Sequence, residues 1–175
     1  MRDTRVHCLL YFISPYGRGL KPLDLDVMKR LSTKVNLVPV IAKADGLTKT
    51  EVTKLKARVL EELGAAGIGI YQLHEETALF SVCGANTLVE VGEKMVRARQ
   101  YPWGIVEVEN PEHCDFIKLR RGLVRQIQAM QDVTHDLHYA AYAAELMSLK
   151  PFQKMALEMK KRRDSKESNF NNNFM

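Results

Sequence analysis

Residues 37–51 read LVPVIAKADGLTKTE and contain the clearest local folding signals in the sequence. Its first five residues are apolar and predict a β-strand, although Pro39 weakens that prediction because proline cannot donate a hydrogen bond to a neighbouring strand. Thr48 and Glu51 have the spacing of a capping box, in which each side chain accepts a hydrogen bond from the other residue's backbone N–H. The stretch therefore predicts a strand that leads directly into a capped helix.

An apolar stripe predicts the length of that helix. Leu47 precedes the cap as one half of a hydrophobic staple. The stripe consists of Val52, Leu55, Val59 and Leu63. Gly64 suits the left-handed position just past a helix end, so the helix is predicted to stop there.

A second strand and helix are predicted upstream. Residues 6–13, VHCLLYFI, form an almost continuous apolar run, which is typical of a parallel strand buried on both faces. Pro22 suits the first turn of a helix in which Leu23, Val27 and Leu31 repeat every fourth residue. With residues 37–41, these segments predict a β-α-β unit.

The pattern downstream changes from parallel to antiparallel. Residues 68–71 and 79–83 predict two more strands. Residues 87–96 then alternate around Gly92-Glu93, which predicts a hairpin, and residues 105–108 predict a further strand. The predicted fold class is α/β, with a small antiparallel patch after the parallel sheet.

A long helix is predicted to begin near Pro111, where Asn110 offers an N-cap, and to continue to Leu149. Its stripe repeats about every 3.5 residues and predicts one face packed on a core. The stripe consists of Phe116, Leu119, Leu123, Ile127, Met130, Val133 and Leu137. Residues 151–159 could add a short helix, and residues 160–175 predict a frayed, solvated end.

Composition is that of a soluble globular protein: 175 residues, 46% hydrophobic and 27% charged. Cys8, Cys83 and Cys114 show neither a metal-binding spacing nor a disulfide framework, which favours a reduced intracellular setting. The longest apolar run is far too short to span a bilayer, and no signal-peptide pattern follows Met1. We therefore expect a cytoplasmic protein.

The net charge of +5 is concentrated at one end. From Lys150 onward there are seven Lys or Arg residues and three acidic ones. The remainder is nearly balanced, so the charge does not indicate a nucleic-acid partner. A basic tail that contacts an anionic membrane surface stays an alternative.

Lys43-Ala44-Asp45 follows a predicted strand, at the sheet edge where α/β proteins bind ligands. An aspartate there can accept hydrogen bonds from N1–H and the exocyclic amine of guanine, a donor pair that adenine lacks, while a lysine stem can cover the base. The pattern is short enough to arise by chance, so alone it also fits an ordinary surface segment.

Other candidate residues have simpler interpretations beside the functional ones. The capping box already explains Glu51. Arg18 lies between two glycines and could meet a phosphate or only solvent, and Trp103 could be a core residue or an exposed interface anchor. No Ser/His/Asp or Cys/His order predicts a catalytic residue.

Phosphate-binding motifs are absent from these 175 residues. There is no GxxxxGK[ST] loop and no Asp-x-x-Gly segment placed to reach Mg²⁺. We therefore expect the chain to hold a base but not a triphosphate, and to carry neither a metal site nor catalytic residues.

Five runs together resemble the septin family, from about residue 3 to residue 145. They are DTRVHC (3–8), LKPLD (20–24), AKAD (42–45), RARQYPWG (97–104) and EVENPEHCDF (107–116). The resemblance implies the C-terminal part of a P-loop-type GTPase domain. It implies that Lys43 and Asp45 select guanine, that the Gly84 backbone meets the base, and that Arg99 stacks near it.

The resemblance also implies subunit interfaces. Trp103 and Arg18 would lie at the nucleotide-side interface, and Glu51 would also lie at a subunit interface. A second interface would use the terminal helix. Three departures are visible: Arg18 replaces a histidine found in many septins, the link between residues 73 and 79 lacks an acidic insertion, and no C-terminal coiled coil follows.

The implied organisation has four parts: residues 1–84 as part of a GTPase domain without its phosphate loop, 85–110 as a septin-unique element, 111–149 as an interface helix, and 150–175 as a basic tail. The implied function is that of a GTP- or GDP-binding cytoskeletal filament protein acting with other septins in cell division, here truncated and inactive as a GTPase. The alternative is a non-enzymatic module that docks on full-length septins and modulates filament assembly.

Overall fold

The computed structural model describes residues 3–17, 19–73 and 78–148. The predicted tail, 150–175, lies outside this range. In chain order the elements are β1 (Cys8–Ile13), α1 (Pro22–Ser32), β2 (Asn36–Ile41), α2 (Lys49–Ala65), β3 (Phe80–Ser81), β4 (Leu88–Val91), β5 (Lys94–Tyr101), β6 (Gly104–Glu107), α3 (Phe116–Arg125), α4 (Ile127–Val133), a π-helical segment (Thr134–Tyr139) and α5 (Ala140–Ser148). No helix among the described residues is long and apolar enough to cross a membrane.

The first sheet is parallel, with strand order β1-β2-β3, and every residue of the central strand β2 is buried. Pro39 lies in this strand despite its missing donor. The carbonyls of Leu37 and Ile41 accept hydrogen bonds on the β3 side, from Tyr71 and Val82. Pro39 faces that same side, where β3 pairs only from Val40 onward, so no ladder bond is lost.

Helices cover both faces of this sheet, which gives three layers. On one face, Leu37 and Ile41 pack with residues of α1 and α2, including Met28 and Val59. On the other face, Val38, Val40 and Phe80 of the sheet pack with Leu119 of α3 and Met130 of α4. The period-2 alternation of β2 divides the core between the two helix layers.

The α2 capping box is confirmed, because Thr48 and Glu51 exchange the two expected backbone hydrogen bonds. The predicted end at Gly64 is wrong. The helix continues to Ala65, and the left-handed residue is Gly67, with φ +65°. The N–H of Ile68 then bonds back to the Leu63 carbonyl at 3.0 Å and closes the helix end.

Residues 68–71 do not form the predicted strand, because only the N–H of Tyr71 reaches the sheet. The strand predicted at 79–83 is real but has only two ladder residues, Phe80 and Ser81. The antiparallel patch is confirmed as a second sheet, β4-β5-β6, and its first turn is Gly92-Glu93 as predicted, with φ +64° at Gly92.

The long helix does not begin near Pro111. Asn110 instead forms a turn, in which its side chain accepts from the Glu112 N–H and its carbonyl accepts from His113 and Cys114. The helix starts at Phe116 and is interrupted at Gln126 and by the π-helical segment.

The predicted core face of this helix is only partly buried. Ile127 is 56% exposed and Leu137 is 61% exposed, whereas Leu119 and Met130 are buried. Leu149, where the helix was predicted to end, lies outside the described residues. Ile127 and Leu137 are thus apolar residues of the predicted core face that no described part of the chain covers.

Candidate functional site

Lys43 and Asp45 lie where β2 ends, as the sequence predicts. Lys43 has a left-handed backbone, with φ 50° and ψ 45°, which a non-glycine residue adopts at a cost of about 1–2 kcal/mol. The next residue, Ala44, donates its N–H to the Val82 carbonyl at 3.1 Å and so ties the turn to the segment after β3. This sharp turn directs Asp45 towards the second sheet.

Asp45 is held by two side chains of β5. The Nη1 atom of Arg99 lies 3.1 and 2.9 Å from the two carboxylate oxygens, and the Tyr101 hydroxyl donates to one of them. The carboxylate side chain is only 3% exposed, while Arg99 is 32% exposed. The pair therefore joins the two sheets at a nearly buried point.

Gly84 joins the same cluster through its backbone. Its carbonyl accepts a hydrogen bond from Arg99 Nε at 2.9 Å. The surface above Gly84 is open, because a Cβ added there would meet nothing within 4 Å. Arg99 thus bridges Asp45 and Gly84, and three of the four predicted base-contacting residues lie together.

Lys43 borders the cluster without an ion pair of its own among the described residues. With Gly84 and Arg99 it lines a largely apolar cavity of about 510 Å³. Asp45 lines a different cavity of about 690 Å³, together with Glu51 and Trp103. Arg99, which bonds to Asp45, lines the first cavity, whereas Asp45 does not.

Electrostatics keep the Asp45 carboxylate ionised. Burial pushes its pKa upward, but hydrogen bonds from Tyr101 and Arg99 outweigh burial and lower the pKa below the usual value. The same contact with Asp45 raises the pKa of Arg99 and that of the Tyr101 hydroxyl. The site is a charge-assisted network in which the arginine supplies donors to the aspartate.

Two of the predicted interface residues, Glu51 and Trp103, line the same cavity of about 690 Å³. Trp103 is 67% exposed and stacks on Tyr101, with ring centroids 4.8 Å apart and planes 6° apart, so it is not a core residue. Glu51 is exposed and bonded to Thr48, which also lowers its pKa. Arg18 lies outside the described residues.

A model of the septin family matches residues 1–155. The chain belongs to the septin family. It is 52% identical over 163 residues to septin-1 of Drosophila melanogaster, covering 83% of this chain and 45% of that protein. It is 54% identical over 160 residues to septin-2B of Xenopus tropicalis, covering 82% and 45% respectively.

The fold agrees with this membership. The solved septin GTPase domain of Chlamydomonas reinhardtii superposes with a TM-score of 0.72 at 25% identity, covering 82% of this chain and 60% of that one. The predicted α/β fold class, a partial P-loop GTPase fold with an antiparallel patch, is therefore confirmed. This septin chain spans a little under half the length of the curated relatives it matches.

The sequence did not single out Tyr101 as a site residue of this septin chain. The signal that could have identified Tyr101 is its spacing from Arg99: the two residues are two positions apart on one strand and therefore share a face.

A second cluster that the sequence analysis missed fixes the start of α3. There Asp115 accepts hydrogen bonds from the Ser81 N–H at 2.9 Å, the Ser81 hydroxyl at 2.7 Å and Lys56.

The Asp115 cluster is structural rather than a metal centre. Burial raises the pKa of Asp115, but the Lys56 ammonium and Ser81 donors outweigh burial and lower it overall. Within residues 3–17, 19–73 and 78–148, no group of three His, Cys, Asp or Glu side chains is placed to hold a metal ion.

Proposed function

We propose that this chain is the guanine-recognising and subunit-contacting part of a GTP- or GDP-binding septin that forms cytoskeletal filaments with other septins. The observation that carries the proposal is the Asp45–Arg99–Gly84 cluster, in which a nearly buried carboxylate holds two donor contacts. In the structure those contacts come from Arg99. In the complex they come from the N1–H and exocyclic amine of guanine.

Base binding is an exchange at Asp45. Guanine enters the cavity that Lys43, Gly84 and Arg99 line, and the Arg99 guanidinium moves from the carboxylate to the face of the base. The Lys43 stem covers the base from its side of the cavity. Asp45 keeps hydrogen-bond donors throughout, so the nearly buried carboxylate is never left unpaired.

The phosphates receive no comparable support from these residues. The 175 residues contain neither a GxxxxGK[ST] loop nor a Mg²⁺-binding Asp-x-x-Gly segment. We therefore propose that this chain by itself binds guanine nucleotides weakly and does not hydrolyse GTP. Purified chain that carries near-stoichiometric GTP or GDP on extraction would contradict this part of the proposal.

Guanine recognition is tested with nucleoside monophosphates that differ only in the base. GMP should bind at least about tenfold more tightly than AMP or IMP in calorimetry or ligand-observed NMR, since one hydrogen bond to a charged group contributes about 1.5 kcal/mol or more. The Asp45→Asn chain should lose its binding of GMP and gain binding of XMP, because the asparagine amide can donate a hydrogen bond to the C2 carbonyl of xanthine. The matched control is Asp26→Asn, which changes an exposed aspartate that pairs with Arg30.

Two outcomes of this experiment contradict guanine recognition. One is equal binding of AMP and GMP by the unaltered chain. The other is an Asp45→Asn chain that retains its fold by circular dichroism and keeps the GMP preference of the Asp26→Asn control.

A second candidate is a docking module that modulates filaments without nucleotide, and the exposed Tyr101–Trp103 stack favours it. In the cell, either function places the chain with septin filaments in the cytoplasm during cell division, where its basic tail could meet an anionic membrane. Trp103→Ala should reduce the amount of chain that co-sediments with septin filaments at least tenfold. The control Met95→Ala, which changes a residue 60% exposed on the same sheet, should leave that amount unchanged. Equal losses in both variants would refute a specific Trp103 contact.

A further inference from the structure

Two of the three cysteines meet inside the protein. The Sγ atoms of Cys83 and Cys114 lie 3.5 Å apart, although the residues are 31 positions apart in the chain. Both side chains are buried, at 1% and 6% exposure. Cys8, the remaining cysteine, lies in β1.

The backbone fixes this proximity. One residue beyond Cys114, the Asp115 N–H donates to the Ser81 carbonyl at 2.8 Å, and the Asp115 carboxylate accepts from the Ser81 N–H at 2.9 Å. This two-way link holds the turn before α3 against the end of β3. The thiols therefore meet on clamped segments rather than on free loops.

The hydrogen bonds around the pair are ordered. The Cys83 thiol donates to the Cys114 sulfur, and the Cys114 thiol donates to the Val108 carbonyl at 3.3 Å. Donation from Cys83 lowers the pKa of Cys114, against the opposing effect of burial, and raises the pKa of Cys83. Cys114 is thus the sulfur that ionises first and acts as the nucleophile.

Each thiol also borders an opening. Cys114 lines the cavity of about 690 Å³ that contains Asp45 and Trp103. Cys83 lines the other cavity, of about 510 Å³, which contains Lys43, Gly84 and Arg99. A hydroperoxide as small as hydrogen peroxide that enters either cavity lies next to one residue of the pair.

We propose that Cys83 and Cys114 are a redox-active thiol pair that a hydroperoxide converts into an intramolecular disulfide. The Cys114 thiolate attacks the peroxide, the O–O bond breaks, and the distal oxygen leaves as hydroxide or alkoxide, giving a sulfenic acid. The Cys83 sulfur then attacks the Cys114 sulfur, the S–O bond breaks and water leaves. In sum, two thiols and one hydroperoxide give one disulfide, one water and one alcohol, or two waters from hydrogen peroxide.

The disulfide needs only a small rearrangement. A disulfide has an S–S length of about 2.05 Å, so the sulfurs, now 3.5 Å apart, must approach by about 1.5 Å. The bond covalently joins the end of the parallel sheet to the turn before α3. It lies one residue from Gly84 and one residue from Asp115.

The test is oxidation of the reduced, purified chain with hydrogen peroxide. Thiol titration after denaturation should fall from three groups per chain to one, and reductant should restore three. Peptide mass mapping should find Cys83 linked to Cys114, with two hydrogens lost. This test uses the wild-type chain, so its outcome does not depend on whether a variant folds.

Variants and an unfolded control sharpen the assignment. Cys8→Ser should form the same disulfide, whereas Cys83→Ser should leave Cys114 as a sulfenic acid that dimedone traps. Oxidation in urea should scramble the pairing among the three cysteines. The proposal is overturned if the folded chain keeps three thiols while the urea-unfolded chain oxidises, or if the folded chain gives mainly Cys8 or intermolecular disulfides.

Discussion

Arg99→Ala should lower the free energy of unfolding by about 2 kcal/mol at pH 7. The substitution removes the hydrogen bond to the Gly84 carbonyl and both contacts to Asp45. Breaking a fully buried ion pair costs about 3–5 kcal/mol, and an exposed pair contributes at most about 1 kcal/mol. Here the carboxylate is 3% exposed and the arginine 32% exposed, so water replaces part of the loss and the value lies between these limits.

Urea denaturation followed by far-UV circular dichroism measures this change. The matched control is Arg97→Ala, which lies two residues earlier on β5, on the same face, and is exposed. Arg97 forms no ion pair with any of the described residues, so its substitution should change the free energy of unfolding by less than about 0.5 kcal/mol. Equal effects of the two substitutions would refute the argument.

The pH dependence gives a second measurement on the same pair. The folded-state pKa of Asp45 is lowered, so the pair contributes stability fully above the unfolded pKa of about 3.9 and loses it as pH falls through the folded pKa. The difference between wild type and Arg99→Ala should therefore narrow in acid. A difference that stays constant down to about pH 2 would exclude Asp45 as the partner responsible.

Three further predictions concern other parts of the chain. Asp115→Asn should lower the free energy of unfolding in urea by about 2–3 kcal/mol, because the Asp115 carboxylate is 13% exposed and bonded to Ser81 and Lys56. The control Glu112→Gln, which changes an ion pair about 80% exposed, should lower it by less than about 0.5 kcal/mol. Thr48→Ala should cost about 1 kcal/mol and reduce helicity, and an unchanged unfolding curve would exclude a capping contribution. The initial rate of Cys114 oxidation by peroxide should rise with pH and level off below the range of an ordinary thiol, because its pKa is lowered; a rate still rising above pH 9 would contradict this.

Features set by neighbouring residues were predictable from the sequence. The capping box at Thr48 and the hairpin turn at Gly92 involve only groups a few positions apart, and both form as predicted. The helix predicted at Pro111 failed because Asp115 binds Ser81, 34 positions away, and this contact sets where α3 begins. The strand predicted at residues 68–71 failed because a strand needs a partner along its length, and only Tyr71 reaches one.

The candidate site divides in the same way. The turn with Lys43 and Asp45 was predictable from the sequence alone, because the end of a strand and the cap of a helix fix its position. The family-specific runs were also sufficient to identify the septin membership. Three features became visible only in the folded protein: the ion pair between Arg99 and Asp45, the exposure of Trp103, and the contact between Cys83 and Cys114. These contacts join segments tens of residues apart, and their geometry arises only when the two sheets and α3 pack together.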